Sequence, residues 1–213
     1  DSVYYDLTMD DEREMLDYER LVYSRTNEIT GGINKSLTVK TVLTNTNKYL
    51  SPVIDLSRKS ALVLKNIVNN DSTNEDTRYG NALTKYISQP IVLADGFDAG
   101  DLRVYLAGNK QGSTEISVYY KILSSSDSTL FKDRSYQKMV CMNPTVVASK
   151  TSADYVEYEY RPSSTDEYVT YTSSNGVTYD SFKTFAIKIV LTSNDPSIVP
   201  KVKDLRIIAL PAG

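Results

Sequence analysis

The spacing of apolar residues changes partway along the chain, and this change limits the fold more than any other feature. From residue 36 onward the pattern has a period of two: Leu37, Val39, Thr41 and Leu43 alternate with Thr38, Lys40, Val42 and Thr44. Later, Phe185, Ile187, Ile189 and Leu191 alternate with Ala186, Lys188, Val190 and Thr192. A period of two sends alternate side chains to opposite faces of a strand. One face of the second run is wholly apolar and the other mixed, as in a strand half-covered by a second sheet. Further strand-like runs occupy residues 53–56, 61–67, 86–87, 91–93, 102–106, 116–122, 136–142, 155–160 and 202–210. Turn formers separate them at Asp95-Gly96, 108–112, 124–128, Ser173-Ser174-Asn175-Gly176 and 193–196, and 69–76 reads as a polar loop. With no helix between these runs, the expected class is all-β, an antiparallel sandwich or barrel. The run 202–210 is apolar at nearly every position. It is expected to be covered on both faces and paired centrally, because an exposed apolar edge invites aggregation.

Residues 1–30 read differently. Met15, Tyr18, Leu21 and Val22 fall at helical spacing, with Asp10 and Asp11 placed for a cap and first turn. This predicts a short amphipathic helix, which is too short to stand alone in water. Gly31-Gly32 marks a break, dividing the chain into an appendage, helical or extended, over 1–32 and a sandwich domain over 33–213. The appendage is expected to bind a neighbouring chain, its rival being an added strand over 21–29. Residues 53–56 or 61–67 are expected to share a sheet with 202–210.

Composition removes much of catalytic chemistry. The 213 residues contain no histidine, so Ser-His-Asp and Cys-His nucleophiles, the H-E-x-x-H zinc helix and His proton shuttles are excluded. The lone Cys141 cannot form an internal disulfide or a multi-cysteine zinc site, and its neighbours Met139, Val140 and Met142 suit a small core residue. With 24 Lys+Arg against 27 Asp+Glu, the net charge of -3 lacks the basic surface that nucleic acid requires. No apolar run approaches the roughly 18 residues of a membrane span. No charged-then-apolar leader opens the chain, so no signal peptide is expected. No catalytic residue, cofactor or metal is expected either. Asp95, Asp98 and Asp101 could together offer oxygens to calcium, but their spacing is not that of an EF-hand, and Asp with Gly is what a turn wants on its own account.

Tyrosine is abundant, at 17 of 213. The groups Tyr119-Tyr120, Tyr155/Tyr158/Tyr160 and Tyr168/Tyr171 suit either a stacking platform for sugars or a protein interface; the absence of Trp favours the interface. Met15, Tyr18, Leu21, Val22, Tyr155, Tyr158 and Tyr160 are therefore the candidate interface residues. Glu157, Glu159, Asp166 and Glu167 would supply a glycosidase pair only at a spatial separation that sequence does not define.

Several blocks carry a resemblance: Ser51-Pro52-Val53-Ile54-Asp55-Leu56, Asn66 with Asn69-Asn70, Lys85-Tyr86-Ile87, the stretch 182–191, and 199–210. Together they resemble a domain of large virion structural proteins in the tail and baseplate of contractile-tailed, T4-like bacteriophages. The closing strands are also similar to the end of galactose-binding-like jelly-roll sandwiches. The resemblance implies a structural or docking domain of the virion and not an enzyme. It implies tail or baseplate proteins as partners, further copies of the chain among them, with no nucleic acid and no membrane. The alternative is a carbohydrate-binding module for host-surface glycans, with aromatic and polar groups converging near 155–171. The chain opens at Asp1 rather than Met and is read as a trimmed product or one piece of a longer polypeptide.

Overall fold

A computed structural model describes residues 40–53, 67–112, 114–144, 149, 154–165, 168–195 and 198–211. The chain divides into two units, Asp1–Lys65 and Asn66–Gly213. In the first, the described residues 40–53 contain no strand and are exposed, so the alternation over 40–44 does not make one there. Asn45 and Asn47 side chains instead cap the amides of Asn47 and Tyr49, each at 2.9 Å, in a short turn. The expected helix, the boundary at residue 32, the run 61–66 and most of 53–56 lie outside the described residues. The expected pairing of 53–56 or 61–67 with 202–210 therefore falls largely outside them too.

The second unit is a β-sandwich. Its strands are β1 Thr84–Ile87, β2 Ile91–Val92, β3 Ala99–Asn109, β4 Thr114–Leu123, β5 Gln137–Lys138, β6 Val140–Cys141, β7 Val156–Arg161, β8 Tyr171–Thr172, β9 Thr178–Tyr179, β10 Thr184–Ser193 and β11 Lys201–Pro211. One antiparallel sheet has the order β1-β10-β4-β5, with β2 also on β10; the other has the order β11-β3-β7-β6; β8 and β9 form a hairpin. Successive long strands lie in opposite sheets, β3 then β4 and β10 then β11, so both central pairings join segments far apart in sequence.

Period-two alternation supplies the core. Leu102, Val104 and Leu106 of β3 meet Ile116, Val118, Tyr120 and Ile122 of β4 and Phe185, Ile187 and Ile189 of β10, with Tyr158 and Tyr160 of β7 between them. Phe182 lies fully buried beside Phe185, edge to face at 5.9 Å. The expected turns form. Gly96 and Gly176 sit at φ +78° and +83°, where an L side chain would be strained, closing Asp95-Gly96 and the β8–β9 hairpin.

Two expectations are corrected. Residues 136–142 are not one strand, because the chain changes sheets at Met139. The Met139 side chain enters the core, its amide still bonds the Val118 carbonyl of one sheet at 2.8 Å, and the Met142 amide bonds Glu159 of the other at 2.8 Å. The C-terminal strand is not central: among the described residues β11 pairs only β3 and forms the edge of its sheet. Leu205, Ile207 and Ala209 pack on the core, while Asp204, Arg206 and Ile208 face outward and are exposed. A bulge at Lys203 and the Pro211 end interrupt this edge, which is how edges are kept from pairing with other chains.

Phe182→Ala should therefore cost about 3–5 kcal/mol, the range for emptying a buried aromatic site. Val177→Ala, on the exposed hairpin, should stay within about 0.5 kcal/mol, both read by urea denaturation.

Candidate functional site

The second face of β10 holds the least expected feature. Lys188 shares the outer face of its sheet with Ala186 and Val190, and its side chain is fully buried. An ammonium there must satisfy three donors away from water. The strap of residues 69–82 crosses the sheet and supplies the acceptors: Glu75 Oε2 at 2.7 Å, the Thr77 carbonyl at 2.9 Å, and the Glu75 carbonyl. The rings of Tyr119 and Tyr136 lie 5.1 and 4.8 Å from Nζ. Glu75 is held in turn at Oε1, which accepts from the Ala82 amide at 2.8 Å and has Lys85 Nζ 3.5 Å away. Lys121 of β4 flanks the same Tyr136 ring at 5.0 Å and donates to the Phe131 carbonyl.

The strap is built for this crossing. Asn69 donates to the Asn81 carbonyl and accepts from the Leu83 amide, both at 3.0 Å, while Asn81 bonds Asp71 and Thr73. Gly80 sits at φ +32°, and a Cβ there would occupy the space of the Glu75 carboxylate. Burial alone would push the Glu75 carboxyl up, but the hydrogen bonds from Lys188 and the Ala82 amide outweigh it and hold the group below its ordinary value. Burial pushes the Lys188 amine down, opposed by Glu75. A depressed amine can serve as a nucleophile, yet this one is closed off from any substrate.

A second polar centre lies at one end of the sandwich. Asp127 is buried, with Tyr171 Oη at 3.0 Å, Ser173 Oγ at 3.1 Å and the Thr129 amide at 2.9 Å donating to its carboxylate. Burial would raise Asp127, but these donors hold it low. Tyr171 also accepts from the Ser124 amide at 2.8 Å, and burial pushes its hydroxyl up to about 12. The Arg134 guanidinium lies 4.0 Å over the Tyr171 ring and donates from Nε to the Ile122 carbonyl. Beside it opens a cavity of about 380 Å³ lined by Ser128, Thr129, Leu130, Asp133, Arg134 and Ser174. The Thr129 hydroxyl stands near Asp127 but closes no hydrogen bond.

The residues singled out from sequence are dispersed. Tyr158 and Tyr160 are 1% and 2% exposed in the core, and Tyr160 Oη donates to the Ile116 carbonyl at 2.9 Å, so they cannot line a surface; this corrects their interface reading. They face inward because they alternate along β7 with Glu157 and Glu159, which take the outer face. Tyr155 is half-buried, with Lys203 Nζ 6.0 Å from its ring. Met15, Tyr18, Leu21 and Val22 lie outside the described residues, as do Asp166 and Glu167. Asp95, Asp98 and Asp101 hold separate partners: Lys183 at 3.3 Å, the Ser125 hydroxyl at 3.2 Å and Arg103 at 2.9 Å. Glu157 and Glu159 project from the outer face of β7, paired with Arg206 at 3.7 Å and Arg161 at 2.6 Å. Cys141 is half-buried and packs against the core. Comparison with known protein families, with curated proteins and with solved structures gave no match.

Removing Glu75 strands a buried ammonium. Glu75→Ala should cost about 3 kcal/mol, the low end for breaking a buried pair, because only the strap roofs it. Gly80→Ala should cost more than about 1 kcal/mol by displacing the same carboxylate. The folded-state pKa values of Glu75 and Asp127 are lowered from 4.5 and 3.8, so their contribution is complete above those values and is lost as pH falls through the folded ones. Urea midpoints should drop on acidification below that range, less steeply in Glu75→Gln.

Proposed function

We propose that the chain is a structural docking domain of a contractile phage tail or baseplate, a jelly-roll sandwich of the galactose-binding-like type that joins virion proteins. The observation that carries the docking part is a group of exposed apolar side chains on or beside the β1–β2 edge strands, Leu83, Tyr86, Ile91 and Val92, with Tyr79 also exposed in the strap. Single exposed apolar residues are ordinary, whereas several on one sheet edge favour a surface that meets something. In the other unit, the described segment exposes Val42, Leu43, Tyr49, Leu50 and Val53. The virion part rests on the resemblance, whose described blocks fall on β1, β10 and β11, on Asn69-Asn70 in the strap and on the exposed residues 51–53. The inaccessible Lys188 and the ion-paired, outward-facing Glu157 and Glu159 favour a domain that is not a catalyst.

Antibodies raised against the chain should label purified tails or baseplates at a fixed ratio. A Leu83→Ser/Tyr86→Ser/Val92→Ser variant should melt like the parent yet fail to incorporate. Absence from purified tails overturns the reading, as does retention on a glycan array combined with normal incorporation of the triple variant.

A further inference from the structure

Arg134 is a half-buried cation that makes no ion pair among the described residues, although two carboxylates lie close in sequence. Asp127 is engaged by Tyr171, Ser173 and the Thr129 amide, and Asp133, exposed at the cavity rim, makes no ion pair with Arg134. A partly desolvated charge without a counter-ion is unfavourable, so the site gains by receiving one. The guanidinium is also fixed in place. Its Nε is bonded to the Ile122 carbonyl at 3.3 Å, its Cζ lies 4.0 Å from the centre of the Tyr171 ring, and Tyr171 is itself held by Asp127 and the Ser124 amide. Ordering an arginine side chain on binding ordinarily costs conformational entropy; here folding has already ordered it.

The Nη nitrogens that remain belong to a side chain lining the cavity of about 380 Å³, together with the hydroxyls of Ser128, Thr129 and Ser174 and the exposed apolar Leu130. A planar fork of donors beside hydroxyl donors matches a carboxylate, which takes two parallel bonds from the fork and further bonds from the hydroxyls. Asp133 at the rim can accept an N–H from whatever carries that carboxylate. The geometry points to a socket for one acidic side chain, Glu or Asp, projecting from a neighbouring protein, with Arg134 as its anchor. This inference rests on the docking reading and names the chemistry of one contact within it.

Titration of the isotope-labelled full chain with N-acetyl-L-glutamate N-methylamide, followed by NMR, tests the socket. The Ser174 and Thr129 amides and the Arg134 Nε–H should shift saturably, with weakening as salt is raised. The glutamine analogue should produce at least tenfold weaker shifts. Arg134→Ala should abolish the response. Ser174→Asp, which places a counter-ion at the rim on an exposed position, should abolish it as well while leaving the remaining spectrum unchanged. Equal response to the glutamine analogue overturns the proposal, as does no saturable shift, or a response to an acidic monosaccharide alone. If the glutamate analogue fails while the chain still incorporates into tails, the socket is wrong and the docking reading stands. If incorporation fails too, the docking reading falls with it.

Discussion

A buried ammonium governs one whole side of this sandwich. Lys188 sits in the centre of β10, where an apolar residue would pack without conditions, and three acceptors must therefore be brought to it. The strap of residues 69–82 exists in its observed path because it delivers them. Gly80 leaves room for the Glu75 carboxylate, Asn69 and Asn81 brace the strap's two ends, and Tyr119 and Tyr136 complete the layer. A hydrophobic residue at the same position would remove both the demand and the reason for the strap. Buried pairs of this kind add little net stability, since desolvation offsets most of the attraction, whereas removing one partner is strongly destabilising.

The two sheets consequently present unlike outer faces. The face of β10 and β4 is roofed by the strap and by Tyr136, forming a second small cluster with Ala82 and Val190. The face of β3, β7 and β11 stays in water and carries a lattice of charges, with Arg103–Asp101, Arg161–Glu159 and Arg206–Glu157 pairs. Of these, the exposed Arg206–Glu157 pair contributes little to stability, whereas the Asp101 carboxylate bonded by Arg103 is itself buried. Four exposed apolar residues lie on or beside the β1–β2 edge strands, and Arg134, which makes no ion pair among the described residues, stands at the loop end. A domain with one solvated face, one apolar edge and one charged socket has directional surfaces, which suits a part placed among others.

The framework was legible because alternation is a local property. The runs around Leu102, Ile116 and Phe185 predict strands whose inward residues are those found in the core. Sheet membership was not legible: nothing near Met139 announces a crossing between sheets, since that depends on which strands already flank it. The C-terminal run misled for a related reason. Its apolar count suggested two covered faces, but a strand's neighbours decide exposure, and here Arg206 and Asp204 mark the solvent side. Lys188 left a weak signal, a lone charge within an apolar strand, which reads equally as an outward-facing residue. Glu75 left none, because a loop acid looks the same whether solvated or buried under a sheet. Tyr158 and Tyr160 alternate with Glu157 and Glu159, and that alternation already favoured burial over a surface role.

Native-state hydrogen exchange on a Glu75→Gln variant tests most directly whether the Lys188–Glu75 contact ties the strap to the sheet. The account predicts that the Ala82 and Asn81 amides lose most of their protection while the Ala186 and Val190 amides, on the β4 side of β10, keep theirs, because the strap opens as a unit above an intact sandwich. Equal loss of protection at all four amides, or no loss at Ala82 and Asn81, would contradict it.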